Sequence, residues 1–575
     1  MLQTVRCTLV SQFGTNAGIV FSSEFPTQYC ITFTPYRYIS LMFTYKNNFI
    51  KSAGLIFGIL SGILAFGQNQ NLSNGLVFDG EPYIAINPNN AQHLVVAWMG
   101  WINLSNQFKI KTKTSFDGGQ TWSAATELPH TVSNYSSADP SLAFNLNNEV
   151  FACYIDFTGT TPPVTGGVYL CKSTDGGLSW NTPTTVITTN YDGSKWPIDR
   201  PWMAIDQSSS AQQGNIYITT MNLNRTDSPY NPYFSVSTDN GASFSTRYLD
   251  TANWLAGSIN PLPMCSPTVS SDGTFYGAYP SYVITQSFYA QSFLATSDNG
   301  GANFAYSNII TFNSPTQIDS YPSAKKASQL LSDPSDPNHL AYIYLSAIYG
   351  DLDVFFIESF NAGNSWSSPL RLNDDTKGNN IMQDLIWGDF DQDGDLVISW
   401  RDRRNGSDTT YQTATEIWAT YRGKNATTFT TNFQLSSELV TYDSVLESSG
   451  NDFMSIQLQN DTIHAVWGDT RNGKLNIWYQ NSTTGGTLIS VKAIASEPSL
   501  QLHLYPNPTN GKLTLEGLPN NATVTLYNNT GKQILQQHWK TNTVQLALEH
   551  LSPGHYLLKV NAPNGVCITR KVVKQ

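Results

Sequence analysis

From about residue 80 to the C-terminus the chain is a succession of short runs in which apolar and polar residues alternate, each closed by Gly, Asn, Asp or Pro. Phe108–Thr114 (FKIKTKT) and Val168–Ser173 (VYLCKS) are typical, and a period of two predicts strands rather than helices. Composition points the same way. Only 13% of residues are charged while 12% are aromatic, and 41 Gly and 28 Pro supply turns. Lys, Arg, Asp and Glu, which fill the exposed faces of helices, are replaced here by Ser, Thr, Asn, Tyr and Trp, which suit strands and turns. The predicted class is all-β.

The runs repeat. TSFDGGQTW (Thr114–Trp122), KSTDGGLSW (Lys172–Trp180), VSTDNGASF (Val236–Phe244), TSDNGGANF (Thr296–Phe304) and ESFNAGNSW (Glu358–Trp366) place Asp117, Asp175, Asp239, Asp298 and Asn361 at intervals of 58, 64, 59 and 63 residues. Such a sequence is a folded turn: Asp or Asn caps backbone N–H groups ahead of it, Gly takes positive φ, and the closing aromatic packs between sheets. Trp122, Trp180, Phe244, Phe304 and Trp366 are those aromatics. The acids are expected to be structural, because every copy needs one to form its turn.

A second repeat precedes each turn, beginning at Glu81, Asp139, Arg200, Ser266 and Tyr321, and two further units begin at Gln383 and Asn451 without the Asp turn. Their WRDRRNG and WGDTRNG echoes relate these last two units to each other. Seven units of about four strands each predict a β-propeller. The S-x-D-x-G-x-x-W turns resemble the Asp-box, or BNR, repeats of sialidase-like propellers over roughly Asp79 to Gly486. Sialidases proper have six blades, so six or seven are weighed, seven preferred, with the first or last unit able to act as an edge that completes a blade.

Two further segments flank the predicted propeller of residues 68–490. AGLIFGILSGILAFG follows Lys46 and Lys51 and ends in small residues, which reads as a signal peptide over 42–67 and makes 1–41 an upstream extension. It is short for a membrane span, which needs about 20 apolar residues, and no transmembrane helix is expected in the mature chain. After a linker at 491–500, residues 501–575 return to alternating strands broken by NG, NNTG and PNG, predicting a small Ig-like β-sandwich. Tyr505-Pro506-Asn507-Pro508-Thr509-Asn510-Gly511, Gly554-His555-Tyr556 and the terminal Lys571–Gln575 resemble the sorting domain of type IX secretion cargo in Bacteroidetes. The resemblance implies passage across the outer membrane through that machinery, with release or attachment at the cell surface.

Charge narrows the partners. The chain is net −11; without 1–67, which hold four basic residues and one acid, it carries 27 basic against 41 acidic residues, net −14. No basic cluster tracks a phosphate backbone, so nucleic acid is not an expected partner. Six cysteines without a CxxC pair exclude a disulfide scaffold and a zinc or redox motif. Cys153 and Cys171 lie on adjacent predicted strands; two separate buried thiols are favoured over a disulfide.

Ligands of propellers bind where the inner strands begin, which makes Glu81, Asp139, Asp384 and Asp452 the candidate acids for two-carboxylate chemistry, and Arg200, Tyr321, Arg403 and Arg471 the candidate substrate-binding groups. The family's activity needs three arginines on a substrate carboxylate, the first in an Arg-Ile-Pro motif; this chain has no Arg between Arg37 and Arg200, and the motif position reads Glu81-Pro82-Tyr83-Ile84. Recognition of extracellular glycans or glycoproteins is therefore the first reading, with sialidase-type glycoside hydrolysis and a structural adhesin as alternatives. Asp389, Asp391, Asp393 and Asp395 alternate like a calcium loop with Gly394 in the sixth place, but Trp400 stands where a bidentate Glu belongs. An acidic hairpin turn is favoured there, calcium is the second reading, and no other cofactor is expected.

Overall fold

The computed structural model describes residues 69–102, 107–224, 226–227, 230–250, 264–281, 287–312, 327–444, 451–489, 502–528, 532–561 and 567–575. The upstream extension, the signal peptide, the linker and Tyr321 lie outside the described residues.

Between Gln70 and Thr483 the described strands form seven four-stranded antiparallel sheets, the blades of a β-propeller. Their inner strands are Asp79–Asn87, Ser136–Phe144, Asp199–Ile205, Ser266–Val269, Ser328–Ser332, Gln383–Phe390 and Ser455–Gln459. Each packs against the next, and the seventh packs against the first, so the ring is closed. Blades 1 to 6 take their four strands consecutively. Blade 7 borrows its outermost strand from Gln70–Asn71, which pair with Tyr479 and Trp478, so a contact between the two ends of the propeller segment completes the ring.

Each blade is buried on both faces, which explains apolar runs such as Leu94-Val95-Val96-Ala97-Trp98. Successive residues of a strand point to opposite faces. Leu94, Val96 and Trp98 join Val466, Ile477 and Tyr479 of blade 7, while Val95 and Ala97 join Leu142, Val150 and Ala152 of blade 2. Burying one such side chain is worth about 1.5–3 kcal/mol, and every interface between neighbouring blades holds a comparable cluster. The same parity separates Cys153 from Cys171. Cys153 faces blade 3 and Cys171 faces blade 1, and both are free thiols.

The recurrent turns join the third and fourth strands of blades 1 to 5. In the third, the Ser237 hydroxyl donates to Asp239 Oδ1 (2.7 Å), Asp239 Oδ1 accepts the Ser243 N–H (2.9 Å), and its Oδ2 accepts the Ser243 hydroxyl (2.6 Å). The Ser243 and Ser237 hydroxyls hold Asp239 down to about 2. Asp117 and Asp175 repeat these contacts, and Asn361 substitutes an amide. In the fourth turn the sequence expectation is off by one residue. Asn299, not Asp298, accepts from Ser297 (2.9 Å) and from the Asn303 N–H (3.0 Å), because the serine fixes the register and the capping side chain must follow it by two positions. The closing aromatics pack on the preceding blade: Trp122 meets Tyr479, Trp180 donates to Thr112, Phe304 meets Phe234, and Phe244 and Trp366 join the equivalent clusters. The second glycine lies against the same blade; at Gly301 (φ +82°) a Cβ would come 2.4 Å from the Phe234 ring.

In the C-terminal region, His503–Tyr505, Lys512–Glu516 and Thr543–Ala547 form a three-stranded sheet, and Gln533–Trp539, Ala522–Tyr527, Gly554–Asn561 and Cys567–Lys574 a four-stranded one. Leu513, Leu515, Val544 and Leu546 from the first share a core with Val524, Leu526, Leu558 and Val560 from the second. Among the described residues no helix is long and apolar enough to cross a membrane.

Candidate functional site

All the inner strands run the same way through the ring, so their first residues share one end, the mouth, and the Ser-x-Asp turns share the opposite end. In blades 1, 2, 3 and 6 the strand begins with a bulge, where pairing skips between Gly80 and Tyr83, Ala138 and Ser141, Asp199 and Trp202, and Asp384 and Trp387. The extra residue takes the left-handed conformation: Glu81 (φ 55°), Asp139 (φ 52°), Arg200 (φ 51°) and Leu385 (φ 52°). Such a bulge re-aims its side chain out of the alternation of the strand.

Three of these side chains meet. The Asp139 N–H donates to Glu81 Oε2 (3.1 Å), the Arg200 N–H donates to Asp139 Oδ2 (3.3 Å), and Arg200 Nη2 reaches from blade 3 to Asp452 Oδ2 of blade 7 at 2.9 Å. Glu81 and Arg200 are each 3% exposed and Asp139 is 7% exposed. Arg200 Nε and Nη1 are buried with no hydrogen-bond partner among the described residues. Burial, reinforced by the Asp452 charge, pushes the Glu81 carboxyl up to about 7. Burial and the Glu81 and Asp199 charges push Asp139 well above the carboxylate range. For Arg200, burial opposes the charge, but Asp452, Asp199, Asp139 and Glu81 together hold it above the usual arginine range. The cluster thus keeps a guanidinium charged among carboxyl groups that retain protons toward neutrality.

The aromatic residues that follow these positions fill the axis. Trp202 contacts Trp387 at 5.6 Å and Phe453 at 4.9 Å between ring centroids, and Tyr83 contacts Trp387 at 5.3 Å. Residues of blades 1, 3, 6 and 7 therefore touch across the ring.

The other candidates do not join it. Asp384 is bound by Arg401 Nε (2.7 Å), Arg401 Nη2 (2.5 Å) and Arg403 Nη2 (3.2 Å); burial opposes its charge, yet the two arginines hold it below the usual range. Arg403 also donates to the Met382 and Tyr411 carbonyls. Arg471 is engaged by Asp469 (2.6 Å) and Asn69 (2.7 Å) and stacks on Trp478. Arg200, Arg403 and Arg471 thus have separate partners. Arg401 escaped sequence reading, although its place in Trp400-Arg401-Asp402-Arg403, two residues from a recognised arginine, was the available signal.

The acidic hairpin lies at the end opposite the mouth, and its carboxylates diverge. Asp389 accepts the Leu458 N–H (2.9 Å), Asp391 accepts the Gln392 (2.6 Å) and Asp461 (3.2 Å) N–H groups, and Asp395 accepts the Lys424 N–H (2.7 Å) and the Tyr421 hydroxyl. Asp389 and Asp391 accept from blade 7, while Asp395 accepts from blade 6 and also meets the Asp461 side chain of blade 7. Asp393 is placed in the tip between them. Among the described residues no three His, Cys, Asp or Glu side chains are arranged as a metal-binding group.

No curated protein matches the chain. Among solved structures it is similar to a protein of unknown function from Dyadobacter fermentans (12% identity, 72% of this chain and 98% of that one, TM-score 0.36). It is also similar to an α-L-arabinofuranosidase from Fusarium graminearum (11% identity, 63% and 98%, TM-score 0.40) and to the NanB sialidase from Streptococcus pneumoniae (12% identity, 73% and 70%, TM-score 0.36). Residues 503–575 match the secretion system C-terminal sorting domain, so behind its β-propeller the chain carries a type IX secretion sorting tail.

Proposed function

We propose that the chain is exported by its sorting tail to the cell surface or the medium and there binds an extracellular glycan at the propeller mouth. The observation that carries this reading is the convergence of Glu81, Asp139, Arg200 and Asp452, with Arg200 Nε and Nη1 buried and unpaired. Two such donors call for acceptor oxygens, since leaving a buried polar group unpaired costs about 1–3 kcal/mol. The surrounding carboxyl groups offer acceptors and protons to ligand hydroxyls, and Asp452 already balances the Arg200 charge, so a ligand carboxylate gains little there. A sugar face rich in hydroxyls satisfies both sets, whereas a sialic acid carboxylate would meet one guanidinium and three acids. The separate partners of Arg200, Arg403 and Arg471 further oppose the sialidase reading.

A second reading, glycoside hydrolysis, is favoured by Glu81 alone, whose proton is held to about 7 as a general acid requires. Glycan-array binding by the purified exported chain, compared with R200A, tests the first reading: signal on neutral glycans that R200A abolishes supports it, and an empty array overturns it. Turnover of a panel of fluorogenic glycosides, lost in E81Q, would move the conclusion to the second.

A further inference from the structure

At the end of the ring opposite the mouth, two histidines occupy the same place in different blades, and their partners differ in charge. His93 follows Asn87 by six residues in blade 1, and His339 follows Asp333 by six residues in blade 5. Each ring stacks on the exposed Phe of its own blade's turn, His93 on Phe116 at 4.6 Å and His339 on Phe360 at 4.5 Å between centroids. Each also meets, edge-on, the Phe that ends the inner strand of the next blade, Phe144 at 5.0 Å and Phe390 at 5.2 Å.

The shared scaffold isolates the effect of the polar partners. His93 Nδ1 faces the Asn87 amide nitrogen at 3.2 Å, the amide oxygen being taken by the Asn89 N–H, and Nε2 faces the Gly176 carbonyl at 2.9 Å. One acceptor and one donor suit a neutral imidazole. His339 Nδ1 faces Asp333 Oδ2 at 2.8 Å, and its Nε2 faces Glu358 Oε2 at 3.1 Å. Ionised carboxylates only accept, so both ring nitrogens carry hydrogen and the ring is an imidazolium. Burial opposes the charge of both acids, yet His339 and Ser335 hold Asp333 below the usual range, and His339 with Arg422 holds Glu358 down to about 2.

Glu358 also receives Arg422 of blade 6, Nη1 at 3.1 Å and Nη2 at 2.6 Å. Two carboxylates and two cations thus balance across the joint between blades 5 and 6, and none of the four side chains is more than 15% exposed. The other charged groups nearby are engaged elsewhere. Asp336 accepts the Asn338 N–H, Lys424 reaches the Ser335 hydroxyl at 2.7 Å, and Asp391 and Asp395 accept the Asp461 and Lys424 N–H groups.

We infer that His339 is a pH-sensitive latch: its imidazolium ties blade 5 to blade 6 through Glu358 and Arg422, and loss of its proton weakens that joint. A neutral ring turns one lone pair toward a carboxylate oxygen. Either Glu358 loses a hydrogen bond that orients it toward Arg422, or Asp333 loses one that fixes its hairpin against Gly394 of blade 6, where a Cβ would come 3.0 Å from Asp333 Oδ2.

The direction in pH follows from linkage. The unfolded chain releases a histidine proton near 6.5. In the folded chain burial disfavours the His339 charge, but Asp333 and Glu358 outweigh it and hold the proton above that value. The latch therefore contributes fully below 6.5 and is lost as pH rises through the folded value. Burial lowers His93, so its contribution is complete above 6.5 and is lost on acidification.

The test uses the full exported chain. Hydrogen–deuterium exchange at the histidine C2 position, read by mass spectrometry from pH 5 to 10, should place the His339 titration at least about one pH unit above that of His93, a tenfold difference in proton affinity. In thermal melts the Tm gap between wild type and H339Q should be largest at pH 6 and shrink toward pH 9, whereas the gap to H93Q should shrink toward pH 5. As His339 titrates, the backbone amides of Glu416–Arg422 in blade 6 should lose protection relative to their intrinsic rates, while those of Gly166–Ser173 in blade 2 keep theirs. Both exchange measurements need only the wild type, so they stand even if H339Q does not fold. The inference is overturned if His339 titrates at or below 6.5, if the H339Q gap is independent of pH, or if Glu416–Arg422 stays protected after His339 has lost its proton.

Discussion

Replacing Glu81 by Gln isolates the most perturbed group of the mouth cluster for which a magnitude can be worked. Glu81 is raised from 4.5 to about 7, first by burial and then by Asp452. In the unfolded chain it releases its proton near 4.5; in the folded chain it keeps it to about 7. The folded state thus binds more protons between these values, so stability is highest below pH 4.5 and falls as pH rises through 7. A shift of about 2.5 units at 1.36 kcal/mol each makes the full loss about 3 kcal/mol, with a slope no steeper than about 1.4 kcal/mol per pH unit. Gln keeps an oxygen to accept the Asp139 N–H but has no proton to lose. Urea unfolding of the purified exported chain, followed by Trp fluorescence from pH 4.5 to 8, should give wild-type and E81Q curves that converge toward pH 4.5, separate progressively up to pH 7 and keep a constant gap above it, with E81Q the more stable at pH 8. Asp79, raised to about 6 chiefly by burial, is common to both proteins, so it cancels in the difference. Parallel curves would refute the reasoning, and an E81Q protein less stable at pH 8 would show that the Glu81 charge is wanted by Arg200.

Arg200→Ala should destabilise the chain by about 3–5 kcal/mol at neutral pH, since it strands Asp452 and its neighbours without their counter-charge; acidification to pH 5 should return part of that loss in a thermal melt. Gly301→Ala and Gly214→Ala separate strain from crowding: both positions have φ near +85°, but a Cβ at 301 would meet the Phe234 ring while one at 214 meets nothing within 4 Å. The first should cost about 2–5 kcal/mol and the second about 1 kcal/mol in denaturant unfolding. Cys153, Cys171 and Cys265 should resist a maleimide reagent in the native protein and label on unfolding, because burial raises all three thiols, Cys171 to about 12. Labelling of Cys153 without unfolding would mean that the interface between blades 2 and 3 opens.

The ring was legible in the sequence because its determinants are local. A serine, an Asp or Asn two places on and a glycine two places after that recur where the third strand turns in blades 1 to 5, and the side-chain hydrogen bonds of that turn lie within nine residues of sequence. The one slip, Asp298 for Asn299, arose where two capping side chains stand side by side and only the backbone register chooses between them. The mouth positions were legible for the same reason, since each opens an inner strand. Which of them would cooperate was not, because Arg200 finds Asp452 across the ring, 252 residues away, and Arg401 captures Asp384 from the neighbouring strand. The acidic hairpin misled in the opposite direction. Its alternating carboxylates look convergent when written as a line, but the chain reverses between Phe390 and Leu396, so Asp389 and Asp395 lie on opposite arms of a hairpin and accept from different backbone segments.

Backbone strain by itself does not mark the mouth as functional. Leu385 adopts the same left-handed bulge as Glu81, Asp139 and Arg200, and it is an apolar residue in the core between blades 6 and 7. The bulge is therefore a device of the fold, costing about 1–3 kcal/mol at each non-glycine position and fixing where the strand leaves the mouth. What distinguishes blades 1 to 3 is that the residue placed on this device is ionisable and nearly fully buried, so desolvation is added to strain at three consecutive blades. In blade 6 the acid stands one position earlier, at Asp384, and two arginines satisfy it completely. The two arrangements differ in what they leave over. The blade 6 group closes on itself, whereas the group spanning blades 1, 2, 3 and 7 retains two buried N–H donors on Arg200 and carboxyl groups poised near neutrality. That leftover hydrogen-bonding capacity, beside an axis filled with aromatic side chains, is the ground on which the proposed glycan site at the mouth stands, and the blade 6 group gives no such ground.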